Sequence, residues 1–202
     1  EESISKVIIG ETIKDETGAK RLNQERWIID ARDEKTFKEG HLPKSINLME
    51  GTKFETWLGS IIKPNEKFYL AGSNKEQLLE LIKRTAAIGY ESQIEEAFVL
   101  EYGLQKDHQL DLTDFKKNPD HYTVVDVRNA SEVKQGKPFT NSIAIPLADL
   151  RSKIDDIPTD KPIVVHCAGG YRSAAASSIV QSTLKDKIQV FDLSEAVKDF
   201  AK

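Results

Sequence analysis

The feature that most constrains this chain is a long internal repeat. The segment Trp27–Arg32 resembles Thr123–Arg128, and the matching residues lie 96 positions apart. Two further pairs of segments match at offsets of 96 and 97. A unit of this length is too long for a solenoid repeat but suits a small complete domain. The 202 residues therefore predict two copies of one domain, residues 1–105 and 106–202. The alternative is two unrelated units that share a common strand–turn pattern.

The apolar residues are distributed as in an α/β protein. Two helical patterns, Lys75–Gly89 and Ser173–Leu184, lie among short β-rich runs in which apolar residues do not alternate with polar ones. Such runs are typical of strands buried on both faces of a parallel sheet. We therefore expect an α/β fold in which each domain is a parallel sheet flanked by helices, with a polar linker within Glu101–Asp111. The predicted strands are Trp27–Ile29, Phe68–Leu70, Val124–Val127, Ile163–Val165 and Ile188–Phe191.

Composition narrows the class of protein. The formal net charge is −4 and neither half has a basic surplus, so neither nucleic acid nor an anionic membrane surface is a predicted partner. The chain has no apolar run that could span a bilayer and no secretory segment. Its single cysteine cannot form an internal disulfide and fits a reducing cytoplasm. Because the chain starts at Glu1 and its only methionine is Met49, we expect a piece of a longer protein.

The segment that carries chemistry surrounds Cys167. A buried strand runs into Cys167, two glycines follow, and a helix begins near Arg172 and Ser173. Gly169 and Gly170 permit positive φ, which lets successive N–H groups form an anion-binding nest, and the helix start adds positive potential. A thiol in this field is expected to be a nucleophilic thiolate rather than an inert core thiol. We predict that Cys167 is catalytic and that the substrate-binding residues are Ala168, Gly169, Gly170, Tyr171, Arg172 and Ser173.

Four side chains near the sulfur leave alternatives open. His166 is predicted to be structural rather than a general base. Ser173 either caps the helix or bonds the thiolate, and capping is favoured. Arg172 either adds positive charge beside the sulfur, where it could bind an anionic donor, or points outward. Tyr171 either forms a wall of the substrate pocket or is simply exposed.

The loop Cys167–Ser173, which begins 41 residues after Asp126, resembles the active-site loop of the rhodanese family. The sequence Asp126-Val127-Arg128 resembles the family's Asp-x-Arg strand end, and Glu39–Asn47 resembles the segment after its first helix. The resemblance implies two rhodanese-like domains. It also implies that Asp126 helps to hold the loop by hydrogen bonds and that Arg128 pairs either with Asp126 or with the body of the domain. The alternative is a surface ion pair that contributes little to stability.

Loop length separates two chemistries on this fold. Four residues lie between Cys167 and Arg172, whereas the related phosphatases have five. The shorter loop favours a sulfurtransferase that moves sulfane sulfur from thiosulfate or a low-molecular-weight persulfide, through a Cys167 persulfide, to sulfite, a thiol or cyanide. The alternatives are a cysteine-dependent phosphatase or arsenate reductase, and a persulfide-sensing binding module without turnover.

The first copy has no cysteine. Gly72 lies close to the position that matches Cys167, the following loop is shorter, and the glycine pair and the arginine are missing. A domain without a nucleophile cannot transfer sulfur in this way. We therefore interpret residues 1–105 as a catalytically inactive pseudo-rhodanese domain and residues 106–202 as the active one.

The arrangement also resembles the C-terminal part of bacterial fusions of a persulfide dioxygenase with a sulfurtransferase. That resemblance implies a role in hydrogen sulfide detoxification and a fused dioxygenase domain as partner. It also implies small substrates: thiosulfate, sulfite, and persulfides of glutathione, coenzyme A or other thiols. Non-haem iron would belong to the dioxygenase alone. The four histidines of this chain are scattered, so no metal or other cofactor is expected here.

Overall fold

The computed structural model describes residues 4–200, which form two compact units. The first unit comprises residues 1–106 and the second residues 107–202. The division falls inside the polar segment Glu101–Asp111. None of the helices within the described residues has the length and apolar character that crossing a membrane requires.

The first unit has one sheet of four parallel strands in the order β2-β1-β3-β4. Short 3-10 turns lie at Ile4–Lys6 and Glu91–Gln93. The helices and strands are α1 (Glu16–Lys20), β1 (Trp27–Asp30), α2 (Glu34–Glu39), β2 (Ser45–Asn47), α3 (Phe54–Ile61), β3 (Phe68–Gly72), α4 (Lys75–Ala87) and β4 (Ile94–Val99).

The second unit repeats this topology with the order β6-β5-β7-β8, again all parallel. Its 3-10 segments are Pro119–His121, Ile154–Asp156, Lys185–Lys187 and Ser194–Asp199. The helices and strands are α5 (Leu112–Lys117), β5 (Thr123–Asp126), α6 (Ala130–Gln135), β6 (Ile143–Ala144), α7 (Leu147–Lys153), β7 (Ile163–His166), α8 (Tyr171–Leu184) and β8 (Val190–Asp192). The α/β prediction, with a helix-flanked parallel sheet in each unit, is confirmed.

The helix that follows each central strand is held by its buried face. In α4 the buried side chains are Leu78, Leu81, Ile82 and Thr85, the face that the helical spacing predicts. Gly89 follows the end of this helix with φ +73°, a conformation that favours glycine. In α8 most buried residues are alanine and serine, and small side chains let a helix lie close to the sheet.

Three edge strands were not predicted from the sequence. β2 and β6 have only three and two residues, and β4 has Glu95 and Glu96 at its centre. These strands are short or contain polar residues, so their sequences lack the continuous apolar runs of β1, β3, β5 and β7. In β2 the polar residues Ser45 and Asn47 are themselves buried. The fourth edge strand, β8, begins two residues later than the apolar run Ile188–Phe191 indicates.

Candidate active site

The strand register shows which positions of the two units are equivalent. Asp30 lies opposite Ala71 in the first sheet, and Asp126 lies opposite His166 in the second. The next residue along each inner strand is therefore Gly72 in the first unit and Cys167 in the second. Both occupy the carboxyl edge of a parallel sheet, where α/β proteins bind ligands.

Cys167 lies between the end of β7 and the start of α8. The residue is buried, with 2% of its surface exposed, and the N–H of Gly170 donates a hydrogen bond to Sγ at 3.1 Å. Ala168 and Gly169 of the same loop are exposed. The first N–H groups of an α-helix have no partner within the helix, and they carry its positive potential. The sulfur therefore lies where a negative charge is stabilised.

Gly170 supplies the backbone conformation that the loop needs. It is the N-cap of α8 with φ +111°, and a Cβ at this position would lie 3.2 Å from atoms of Ser194 and Glu195. Gly169 does not have positive φ, and a Cβ there would meet nothing within 4 Å. The prediction that both glycines adopt positive φ was therefore wrong for Gly169.

The first turn of α8 accounts for two further predicted residues. The helix begins at Tyr171, slightly before the predicted start, and the Tyr171 side chain is partly buried. Ser173 is fully buried, and its hydroxyl donates to the carbonyl of Gly170 at 3.1 Å. This bond ties the loop to the helix. Ser173 is not the N-cap, because that position belongs to Gly170.

Arg172 is held by a carboxylate that the sequence analysis did not select. Its Nη1 and Nη2 donate to the two carboxylate oxygens of Glu132 at 2.6 and 2.8 Å. These bonds lower the pKa of Glu132 to about 2, so the carboxylate is charged at working pH. The pKa of Arg172 is raised, first by Glu132 and also by the charge of the Cys167 sulfur and a hydrogen bond to it. The guanidinium therefore lies beside the sulfur with its charge already paired.

A comparison of the two copies of the repeat could have singled out Glu132 as a residue that only the second copy has. At the offset of 96 residues, the first copy has Thr36 where the second has Glu132. Aligned by the helix starts, Glu76 of α4 occupies the place of Arg172 in α8. The first unit therefore lacks both members of this ion pair as well as the cysteine.

Asp126 and Arg128 form the pair that the sequence predicted to support the loop. Arg128 donates to both oxygens of the buried Asp126 at 2.9 and 2.7 Å, and Nη2 also donates to the Gly136 carbonyl at 2.9 Å. Burial acts to raise the pKa of Asp126, but the Arg128 hydrogen bonds and the proximity of His166 lower it overall. The pair fixes the end of α6 to the end of β5. None of these hydrogen bonds involves Cys167.

The same pair recurs in the first unit, which has no cysteine. Arg32 donates to Asp30 at 3.0 and 2.7 Å and to the Gly40 carbonyl at 2.8 Å. Each of these three donor–acceptor distances agrees with its counterpart in the Asp126–Arg128 pair to within about 0.1 Å. An interaction that persists without the nucleophile belongs to the scaffold.

His166 is completely buried behind the loop. Its Nδ1 lies 3.2 Å from the carbonyl oxygen of Cys167, and its ring packs edge-on against Phe139. Nε2 lies 3.7 Å from Oδ2 of Asp126 and has no hydrogen-bond partner among residues 4–200. Burial lowers the pKa of His166, which favours the neutral ring. These contacts suit a structural residue that holds the Cys167 backbone.

In the first unit, side chains fill the equivalent loop. Oε1 of Gln77 accepts a hydrogen bond from the N–H of Ser73 at 2.8 Å, and Asn74 caps α4. A Cβ placed on Gly72 would lie 2.9 Å from Gln77 Oε1 and 2.9 Å from Leu78 Cδ2. A carboxamide oxygen therefore uses a loop N–H here, and the side chains of Gln77 and Leu78 would have to shift to admit a cysteine side chain.

Metal ligands are not gathered at this edge of the sheet. Within residues 4–200, no group of three or more histidine, cysteine, aspartate or glutamate side chains could hold a metal ion. The chemistry available at the site is therefore that of one thiol, backbone N–H groups and two ion pairs.

Comparison with known proteins agrees with the repeat. The family model described as "Rhodanese-like domain" matches residues 15–109 and again residues 111–202. No curated protein matches the chain.

Several solved structures resemble it. A rhodanese-related protein from Thermoplasma volcanium is 34% identical, with 44% of this chain and 84% of that chain covered and a TM-score of 0.39. A thiosulfate sulfurtransferase from Pseudomonas aeruginosa is 14% identical, with 94% and 41% covered and a TM-score of 0.36. A 3-mercaptopyruvate sulfotransferase from Escherichia coli is 13% identical, with 83% and 91% covered and a TM-score of 0.34.

Proposed function

Because this chain belongs to the rhodanese family, with one rhodanese-like domain in each half, we propose that it is a sulfurtransferase that works through Cys167. The observation that carries the proposal is the placement of Sγ at the start of α8, where it accepts the N–H of Gly170. A thiolate and the persulfide made from it are both anions, so the same donors stabilise both forms.

The proposed reaction has two displacements. In the first, the Cys167 thiolate attacks the outer sulfur of the donor, an S–S bond forms, and the donor S–S bond breaks. The leaving group is sulfite when the donor is thiosulfate, and a thiolate when the donor is an organic persulfide. In the second, sulfite, a thiolate or cyanide attacks the outer sulfur of the Cys167 persulfide and releases the thiolate. All electrons move as pairs, so the cycle needs no oxidant, metal or organic cofactor.

Loop length supports sulfur transfer over phosphoester or arsenate chemistry. Four residues separate Cys167 from Arg172, and Arg172 is directed to Glu132 by two hydrogen bonds. A phosphatase needs its arginine to hold the tetrahedral anion. Here both Nη atoms of Arg172 already donate hydrogen bonds to the Glu132 carboxylate, which disfavours a phosphatase. A persulfide sensor remains the other alternative, and multiple turnovers distinguish it from an enzyme.

The finer assignment rests on the resemblance of the loop. We assign the donor to thiosulfate or to a persulfide of glutathione, coenzyme A or another small thiol, and sulfite to the acceptor in sulfide detoxification. A dioxygenase domain fused to this chain would supply the sulfite from persulfide. A reducing cytoplasm suits a single nucleophilic cysteine that must not be oxidised.

The test is steady-state turnover of the full chain, with thiocyanate production from thiosulfate and cyanide as the signal. We expect multiple turnovers for the wild type and none for Cys167→Ser with an unchanged fold. Hydrolysis of an aryl phosphate that depends on Cys167 would instead establish the phosphatase. A single stoichiometric loading without turnover would establish the sensor.

A further inference from the structure

The strongest unassigned feature of the site is the pairing of its charges. Arg172, which lies beside the nucleophile, has a partly buried side chain with 13% exposure and makes two hydrogen bonds to Glu132. The Glu132 carboxylate also accepts the N–H of Asn129 at 3.0 Å, which fixes it at the start of α6. The carboxylate is therefore held in place by a backbone hydrogen bond as well as by Arg172, and rotation away from Arg172 would break both interactions.

The neighbouring ion pair is balanced as well. The buried Asp126 and the largely buried Arg128 form a second pair, and Arg128 interacts electrostatically with both Glu132 and Arg172. These four side chains carry two negative and two positive charges, so their formal charge sums to zero. Among these side chains, no cation is left in excess to balance the negative charge of a donor.

We propose that Glu132 determines donor selectivity by neutralising Arg172, so that the site prefers donors with one negative charge at the reacting end over doubly charged thiosulfate. This inference rests on the proposed sulfurtransferase function and specifies its donor class as a persulfide or another monoanion. A dianion that approaches a thiolate needs a net positive site, because like charges repel strongly where water is partly excluded. The backbone N–H groups are dipoles without net charge. They can stabilise a monoanion, whose repulsion from the thiolate is weaker than that of a dianion.

The first unit supports a link between this pair and the chemistry. It keeps the scaffold pair Asp30–Arg32 but has Thr36 in place of Glu132 and Glu76 in place of Arg172. A pair needed only for folding would be expected in both units. This pair is present only in the unit that has the nucleophile.

The test compares two donors that differ chiefly in charge. Thiosulfate is a dianion, and methanethiosulfonate replaces one of its oxygens with a methyl group and is a monoanion. Each transfers its outer sulfur to Cys167, with sulfite or methanesulfinate as leaving group. The rate constant for loading Cys167 is measured by rapid quench and intact mass with each donor. The ratio of the thiosulfate to the methanethiosulfonate rate constant is the donor ratio.

Three variants separate charge from structure. Glu132→Gln leaves Arg172 unneutralised and is expected to raise the donor ratio about five- to tenfold. Arg172→Gln leaves Glu132 uncompensated and is expected to lower it by a similar factor. The double variant restores a neutral pair, and its donor ratio is expected within about twofold of wild type whatever happens to the absolute rates.

A matched control comes from the first unit. Glu55 and Arg84 form a similar bidentate pair at 2.6 and 2.7 Å, so Glu55→Gln changes the net charge by the same amount at a residue of the first unit. Its donor ratio is expected to equal that of wild type. A ratio that shifts as much as in Glu132→Gln would mean that overall charge, and not Glu132, sets selectivity.

A measurement on the wild type alone guards against variants that do not fold. Added KCl screens charges, so the donor ratio is expected to rise or stay level with ionic strength at a site without excess positive charge. A ratio that falls steeply with salt indicates a positive site and overturns the inference.

The other outcomes are equally decisive. An unchanged ratio in Glu132→Gln, with both donors slowed alike, overturns the selectivity role and leaves Glu132 as a structural residue. A double variant as poor with thiosulfate as Arg172→Gln means that Arg172 binds the dianion directly. In both cases the wild type still loads sulfur and the proposed function stands. If neither donor loads wild-type Cys167, the proposed function fails and this inference fails with it.

Discussion

The two units share one ion pair and differ in another, and this contrast separates scaffold from chemistry. Asp30 with Arg32, and Asp126 with Arg128, make the same contacts, including a bond to a glycine carbonyl at the end of the next helix. This clamp joins the end of a central strand to the helix that follows it. Because it is present with and without a cysteine, we assign it to stability.

The differences cluster at the carboxyl edge of each sheet. The second unit has His166, Cys167 and Arg172 where the first has Ala71, Gly72 and Glu76. The second unit has a glycine N-cap and a loop N–H that donates to the cysteine sulfur, where the first unit has an asparagine cap and an inserted carboxamide. The same topology therefore accommodates both a loop with a nucleophile and a loop whose N–H groups bind the side chains of Asn74 and Gln77.

The largest effect should come from moving the cysteine between the units. In a Cys167→Ser background, Gly72→Cys is expected to give no sulfur loading, at least about 10³-fold below wild type. The reason is that Gln77 already accepts the loop N–H of Ser73, and that Asn74 and Glu76 stand in the places of Gly170 and Arg172. Intact mass after incubation with thiosulfate measures this. Loading of the transplanted cysteine would break the contrast between the two loops.

Breaking the clamp should produce equal destabilisation of each unit but unequal consequences for activity. Asp30→Asn and Asp126→Asn each weaken the pairing of a fully buried carboxylate with its arginine, at an expected cost of about 3–5 kcal/mol to their own unit. Hydrogen exchange of strand peptides reports each unit, and tryptophan fluorescence reports the first because Trp27 and Trp57 both lie there. Sulfur loading that fell in folded Asp30→Asn would show that the first unit contributes to chemistry.

The two glycines of the active loop should respond differently to alanine. Gly170→Ala forces a side chain into φ +111° and against Ser194 and Glu195, with an expected cost of about 1–3 kcal/mol and slower loading of Cys167. Gly169→Ala meets open space and is the matched control, with little expected change. Thermal unfolding and loading rates measure both. Equal effects of the two substitutions would contradict the assigned role of Gly170.

The smallest effect concerns pH and is expected in the second unit alone. Burial lowers the pKa of His166 below its usual 6.5, so the unfolded chain binds a proton that the folded unit does not. Stability is complete above pH 6.5 and falls as the pH drops towards the folded pKa, by up to about 1.4 kcal/mol per pH unit. Hydrogen exchange of β7 in wild type and His166→Gln measures this. A slope that survives in His166→Gln would assign it to other groups.

The sequence was sufficient for the fold because the central strands are buried on both faces. Their uninterrupted apolar runs predicted β1, β3, β5 and β7, and the repeat predicted two units. The edge strands were not predicted because they contain polar residues, such as the partly exposed Glu95 and Glu96 within β4. A strand of two residues such as β6 is defined by its neighbour and leaves no pattern of its own.

The candidate site was predictable where it is contiguous in sequence and not where it is assembled in space. Cys167, Gly170 and Arg172 belong to one strand–loop–helix segment, so the motif pointed to all three. Glu132 lies 40 residues earlier, and a carboxylate in the first turn of a helix is common as a capping residue. Its contact with Arg172 joins the first turns of α6 and α8 and exists only in the folded unit. Gly170 has positive φ and Gly169 does not, and two adjacent glycines in the sequence do not reveal which of them takes this conformation.

The central claim is that the second unit carries sulfur on Cys167. The full chain is incubated separately with thiosulfate and with glutathione persulfide, desalted and measured by intact mass, with the modified peptide then located. We predict the gain of one sulfur atom on the peptide that contains Cys167, and its removal by cyanide with formation of thiocyanate. No gain of sulfur from either donor, in protein whose thiol is shown to be reduced, would contradict the account.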